Sequence, residues 1–335
     1  MKPEELDPPP AGRPVGATSA DTTTAADSRE PVIEKRPLGA LGENVSAMGL
    51  GCGPLARLGD HADWDGTLRA AVDAGVTVID AAPRLRRQHS ETMLGRVLAD
   101  GLGAHRDELF LSTRCTPLDG KPFDTSEDAV RAQLEASLER LQTDRIDLYQ
   151  VHDVETANPK KLLETTLPVL VAARERGDVR YIGASGGSLE LLREVVIAFP
   201  VDAVLSYARY DLTSDELKQV LLDDAEERGV AVLNASPLHM GLLANPQHAR
   251  EIAAADRATG EAASRAFTIA ERAGVTLPRL ALEFASEEPR IACTLVGCAN
   301  IDELRANVAS FGAAPTELEA RCIADIRAAF REALG

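Results

Sequence analysis

Three times along this chain a helical pattern closes on a glycine and a short apolar run follows at once. Asp73-Ala-Gly75 leads into Val76-Thr-Val-Ile-Asp80, Glu175-Arg-Gly177 into Val179-Arg-Tyr-Ile-Gly183, and Glu227-Arg-Gly229 into Val230-Ala-Val-Leu-Asn234. Glycine just past a helix takes the left-handed conformation that ends it. The apolar runs show little alternation, as parallel strands buried on both faces do. Eight such strands can be counted: Ala47 to Cys52, Val76 to Asp80, Leu109 to Cys115, Ile146 to His152, Val179 to Ser185, Ala203 to Tyr207, Val230 to Ala235, and Cys293 to Cys298. Amphipathic helices separate them. The clearest spans Glu127 to Leu141, with Val130, Leu134, Leu138 and Leu141 at a helical period.

Eight strand–helix units over roughly 260 residues predict an α/β fold of the (β/α)8 TIM-barrel type. Arg36-Pro-Leu-Gly and Gly42-Glu-Asn-Val read as a short N-terminal hairpin capping the barrel bottom. An open Rossmann sheet would need a GxGxxG turn opening a helix. Gly49-Leu-Gly51-Cys-Gly53 is followed by Pro54 and Leu55, so no helix is expected to start with the third glycine in place. Residues 1–35 are rich in Pro, Thr, Ala and charge. They are expected to form a disordered tail, since they bury too little apolar surface to offset ordering entropy. The barrel is then expected over residues 36–335.

Composition narrows the function. The 335-residue chain is 44% hydrophobic and carries a formal charge of −17. Such a charge repels phosphate backbones, which argues against nucleic acid and anionic membranes as partners. Five cysteines without CxxC spacing, and six histidines without a zinc pattern, point to reduced thiols and no metal site. No apolar run reaches the length of a membrane span, and the start has no signal-like apolar stretch, so a cytoplasmic protein is expected. The expected partner is a small-molecule substrate; the oligomeric state is not legible.

In a barrel of this type, polar residues at C-terminal strand ends are the ones to read as functional. The chain offers Asp80, Arg114, His152 with Asp153, Ser185, Ser206 with Tyr207, and Asn234 with Ser236. Each alone is weak evidence; several ionisable groups converging on one mouth are not. An aspartate beside an arginine would have its charged form favoured. Arg84, Leu85, Arg86, Arg87 and His89 follow Asp80 on one loop, which reads either as a charged surface turn or, because guanidinium forks hold carboxylates and phosphates bidentately, as a clamp for an anionic substrate.

The order of motifs resembles the aldo-keto reductases. The resemblance is carried by Asp80-Ala-Ala-Pro83, Ser90-Glu91 with Leu94-Gly95, Ser112-Thr-Arg114, Leu138-Glu-Arg-Leu141, His152-Asp153, Ile182-Gly183-Ala-Ser185 and Ser236-Pro-Leu238. Leu205-Ser-Tyr207, Asn234-Ala-Ser-Pro-Leu238 with Met240-Gly-Leu-Leu243, and Leu295-Val-Gly297 are similar to its sugar dehydrogenase branch, that of L-galactose dehydrogenase. It implies a catalytic Asp, Tyr, Lys and His. By motif the Asp is Asp80 and the His is His152. The tyrosine position holds Leu85 and the lysine position holds Arg114. Leucine has no proton to give, and arginine does not shuttle one at ordinary pH. His152 or His89 is left as a substitute acid.

The same resemblance implies a nicotinamide held near Ser185 and Ser206, a pyrophosphate along Ser236, Leu238 and Gly241, and an adenosine end near Gly297, Cys298, Glu303 and Asn307. NADP-preferring members place cations where this chain has Gly297 and Glu303, so NAD is favoured over NADP. Three readings stay open: a nicotinamide-dependent oxidoreductase acting on a sugar-like or small carbonyl or alcohol substrate; a non-redox isomerase, lyase or cyclase on the same barrel; and an inactive binding protein that needs no cofactor.

Overall fold

The computed structural model describes residues 33–83, 89–117 and 123–334. Two short antiparallel strands come first, β1 (Lys35–Pro37) and β2 (Asn44–Ser46). Eight strands follow: β3 (Met48–Gly51), β4 (Val78–Asp80), β5 (Phe110–Cys115), β6 (Ile146–Val151), β7 (Val179–Gly186), β8 (Ala203–Tyr207), β9 (Ala231–Ala235) and β10 (Ile291–Gly297). Every neighbour pair is parallel, and β10 joins both β3 and β9, so the sheet closes into the expected barrel with helices around it.

Alternate residues of each strand face two different cores, which is why the sequence shows no polar alternation. Val78, Phe110, Leu148, Leu205, Leu233 and Leu295 pack together inside the barrel. Their chain neighbours Ile79, Leu111, Tyr149, Val204, Val232 and Val296 belong to the larger core shared with the helices. Gly75, Gly177 and Gly229 end their helices at φ of 88°, 86° and 68°, a region a side chain rarely adopts. The helix Glu127–Leu141 starts on Ser126, whose hydroxyl accepts the Ala129 N–H, and has two acidic residues in its first turn.

The hairpin plugs the N-terminal end. Leu38 and Val45 join the interior core. Gly39, at φ 54°, lies so close to the barrel that a Cβ would sit 2.6 Å from the Gly229 carbonyl oxygen. The Ala40 N–H donates to that same carbonyl at 2.9 Å.

Three expectations need adjustment. The boundary at residue 36 falls inside β1: Ile33 is already buried and its N–H donates to the Ala74 carbonyl. The rest of the expected tail, residues 1–32, lies outside the described residues. A six-residue helix, Gly53–Leu58, does open at the third glycine of Gly49-Leu-Gly51-Cys-Gly53, with Pro54 in its first turn. Proline there lacks only an N–H that a first turn leaves unpaired anyway. The open sheet is excluded by barrel closure instead. Finally, β4 begins at Val78 rather than Val76, because the Ser46 hydroxyl takes the Thr77 N–H at 2.8 Å before the ladder starts. Among the described residues no helix is long and apolar enough to cross a membrane.

Candidate active site

Asp80 ends β4, Arg114 is the penultimate residue of β5, and His152 follows β6, so the three stand on consecutive strands at one mouth. Asp80 pairs with the Arg114 guanidinium and accepts the Ser112 hydroxyl at 2.7 Å. Ser112 in turn accepts from Gln150 Nε2 at 2.9 Å. Both charges are largely removed from water, with side-chain exposures of 13% for Asp80 and 6% for Arg114. Burial pushes the Asp80 carboxyl above its ordinary range; Arg114 and Ser112 pull it back down. The buried Arg114 Nε has no partner among the described residues.

Ser112 and Gln150 were not singled out as site residues. A signal existed: each stands two residues before a site residue on its strand, Ser112 before Arg114 and Gln150 before His152, and so shares its face. Which oxygen and nitrogen meet depends on the register, which pairs Asp80 with Ser112 and Arg114 with Gln150.

His152 is anchored through its backbone, whose N–H donates to the Cys115 carbonyl at 2.9 Å. Its Nδ1 lies 3.0 Å from the Ser185 hydroxyl, and its Nε2 lies 3.3 Å from Asp153 Oδ1. Ser185 also reaches the Val151 carbonyl at 3.4 Å. A hydroxyl rotor between a ring nitrogen and a carbonyl has two settings. It donates to Nδ1 when that nitrogen is bare, and turns to the carbonyl when Nδ1 carries hydrogen. Nδ1 therefore keeps a hydrogen-bond partner in either protonation state of the ring, and proton exchange falls to Nε2.

The other expected site residues lie as follows. Ser206 Oγ is fully buried without a partner among the described residues, opposite Asn234 across the β8–β9 register. Ser236 (φ 59°) and Gly241 (φ 101°) bracket a tight segment in which Ser236 Oγ donates to Met240 Sδ at 3.1 Å and Leu238 is half-buried. Gly297 faces Pro54: a Cβ there would sit 2.6 Å from the proline ring. Cys298 is buried and its thiol is pushed up to about 12, by desolvation first and by Glu303 second. Glu303 is exposed, and its carboxylate accepts the Ala299 N–H at 2.8 Å, while Asn300 accepts the Glu303 N–H at 2.9 Å. That exchange caps the helix Ile301–Ser310, a use of Glu303 that its position in the sequence did not reveal. Asn307 is buried in the same helix.

Arg84, Leu85, Arg86 and Arg87 lie outside the described residues. His89 opens the helix His89–Ala99. Just behind that segment, Ser90 both accepts the Ala82 N–H and donates to the Ala82 carbonyl, and buried Glu91 holds Thr113 at 2.6 Å and Arg140 at 2.7 Å. The Ser90-Glu91 motif thus ties the start of the helix His89–Ala99 to Ala82, to β5 and to the helix Glu127–Leu141.

The sequence pattern of the Aldo/keto reductase family matches residues 48–329. The chain belongs to that family. This aldo/keto reductase is 34% identical over 293 residues to L-galactose dehydrogenase of Arabidopsis thaliana, covering 86% of this chain and 89% of that protein. Its fold matches an aldo-keto reductase from Bacillus halodurans solved in holo form, with a TM-score of 0.69 at 22% identity, over 88% of this chain and 96% of that one. Membership is consistent with an oxidoreductase, and aldo-keto reductases as a family generally use NAD(P)H.

Proposed function

We propose that this aldo/keto reductase moves a hydride between a nicotinamide dinucleotide and a sugar-like or small carbonyl or alcohol substrate, with His152 as its proton-transfer group. Leu85 and Arg114 stand where the resemblance puts tyrosine and lysine, so neither can serve. The observation that carries the reading is the His152–Ser185 contact, which leaves the ring satisfied in two protonation states. Asp80 and Arg114 cancel each other's charge and hold the floor of the mouth.

The residues present fit a nicotinamide dinucleotide. Buried Ser206 Oγ has a hydrogen bond to give, and Gly241, at a φ of 101° that side chains rarely adopt, keeps the backbone of its own turn open. When bound, that cofactor would supply or accept the hydride. His152 would donate a proton to the substrate oxygen during reduction and take one during oxidation. The family relative named for L-galactose supports aldoses as the first substrates to try.

A fluorescence titration with NADH and NADPH tests the reading. NADH is expected to bind at least about tenfold more tightly, roughly 1.4 kcal/mol. The Pro54 ring excludes a side chain at 297, and Glu303 would meet a 2′-phosphate with like charge. Tighter NADPH binding would contradict the preference, and no binding of either would remove the redox reading. A dinucleotide-free protein that still converts a substrate would favour an isomerase, lyase or cyclase, for which the unpartnered Arg114 Nε offers a donor.

A second expected result concerns the missing pair. Leu85→Tyr alone should add little, since tyrosine without a tuning lysine keeps a pKa of about 10. Leu85→Tyr with Arg114→Lys should raise aldehyde-reduction kcat at least about tenfold over the product of the single effects, because both sites serve one proton path. Simple additivity in kcat would show that they do not.

A further inference from the structure

A cluster of oxygen groups connects His152 to the surface of the mouth. Tyr207 ends β8, and its hydroxyl lies 3.1 Å from Asp153 Oδ1 and 3.2 Å from Glu155 Oε1. The same Asp153 Oδ1 is 3.3 Å from His152 Nε2. Glu155 is exposed to solvent and is fixed by the Gly187 N–H at 3.0 Å. Its carboxylate packs over Gly186, where a Cβ would sit 2.4 Å from Glu155 Oε2 in its present position.

We propose that Glu155 and Tyr207, acting through Asp153, form a proton-delivery chain that reloads His152 from solvent. The inference rests on His152 being the proton-transfer group.

A phenol has one proton, and here it faces two carboxyl groups. It serves one by donating; the second contact is a hydrogen bond only when that carboxyl group carries a proton and donates to the phenol oxygen. The cluster is thus built to hold a mobile proton. Burial first, then the two carboxylates, raise the Tyr207 phenol above its ordinary range, so it stays protonated and acts as a neutral relay. Among the described residues, Arg209 nearby is engaged with the Gly187 carbonyl at 2.9 Å and with Glu216 at 3.0 Å.

The step balances. A hydronium ion from solvent protonates Glu155 and is left as water. The Glu155 proton passes to the Tyr207 oxygen as the Tyr207 proton passes to Asp153 Oδ1, and Asp153 then protonates Nε2. Each O–H or N–H bond formed matches one broken, and no electrons change hands. Oxidation of an alcohol would run the chain outward. Asp153, Tyr207 and Glu155 are positioning residues, since they act through His152.

The test is the exchange of the His152 ring N–H with water, followed by NMR on full-length protein labelled with 15N-histidine, the signal being assigned by its loss in His152→Gln. Tyr207→Phe keeps the ring, and Glu155→Gln keeps an acceptor for Gly187. Each should slow the exchange at least about tenfold, a conservative part of what one positioned acid–base group contributes. Phosphate buffer should restore the rate in Tyr207→Phe by supplying a mobile carrier. Wild-type exchange rates in both variants would overturn the chain. The measurement needs neither cofactor nor substrate. Slowed exchange in a protein that turns over no sugar would therefore keep the proton chain and discard the redox reading.

Discussion

Arg114→Leu should destabilise the barrel by about 3–5 kcal/mol, the usual cost of leaving one charge of a buried pair uncompensated. Arg114 and Asp80 are both largely buried, and the remaining Asp80 partner, Ser112, offers one hydrogen bond against a full charge. The loss should also depend on pH. Burial already raises the Asp80 carboxyl above its ordinary value of 3.8, and Arg114 opposes that rise. A carboxyl that holds its proton more tightly when folded releases it on unfolding. Stability therefore falls as pH climbs from the ordinary value through the folded one. Removing Arg114 pushes the folded value higher and widens that window. Urea unfolding at mildly acidic and at neutral pH should show the larger deficit at neutral pH. An equal deficit at both would mean that lost packing, rather than the stranded carboxylate, dominates.

His152→Gln should lower kcat by about 10²- to 10⁴-fold, the range for loss of one general acid or base. Glutamine still reaches Ser185 with a polar group, so the wall of the mouth is preserved while the titrating nitrogen is gone. NADH affinity, read by fluorescence, should change little, which separates a chemical defect from a binding defect. Turnover that survives the substitution would shift the proton to another donor, with His89 the next to replace.

The barrel was legible because glycine at the helix ends and apolar runs after them are local signals that tertiary packing reinforced. Gly75, Gly177 and Gly229 all adopt the left-handed conformation their positions implied. Asp80, Arg114 and His152 were legible because strand ends alone place them at one mouth. What escaped depended on register or on contacts far apart in the chain. Gln150 reaches Asp80 only through Ser112, across three strands. Glu303 looked like a group waiting for a ribose, yet its carboxylate is turned back on the start of its own helix. Tyr207 and Glu155 lie 52 residues apart and meet only because β6 and β8 flank β7. The Arg84–Arg87 reading rests on sequence, since that segment is outside the described residues.

The contact between Gly297 and Pro54 also bears on how this protein could change. A lysine at 297 cannot arise as an improvement on its own, because its Cβ would enter a ring whose position is fixed by the backbone of the helix Gly53–Leu58. Clearing that ring first, by replacing Pro54, would remove a favoured helix-starting residue and bring no immediate gain. The two positions form a ratchet: a lineage carrying both residues would need to cross a less stable intermediate before selection could act on phosphate recognition at that strand end. Directed evolution toward the phosphorylated dinucleotide should therefore vary residues 54 and 297 in the same library.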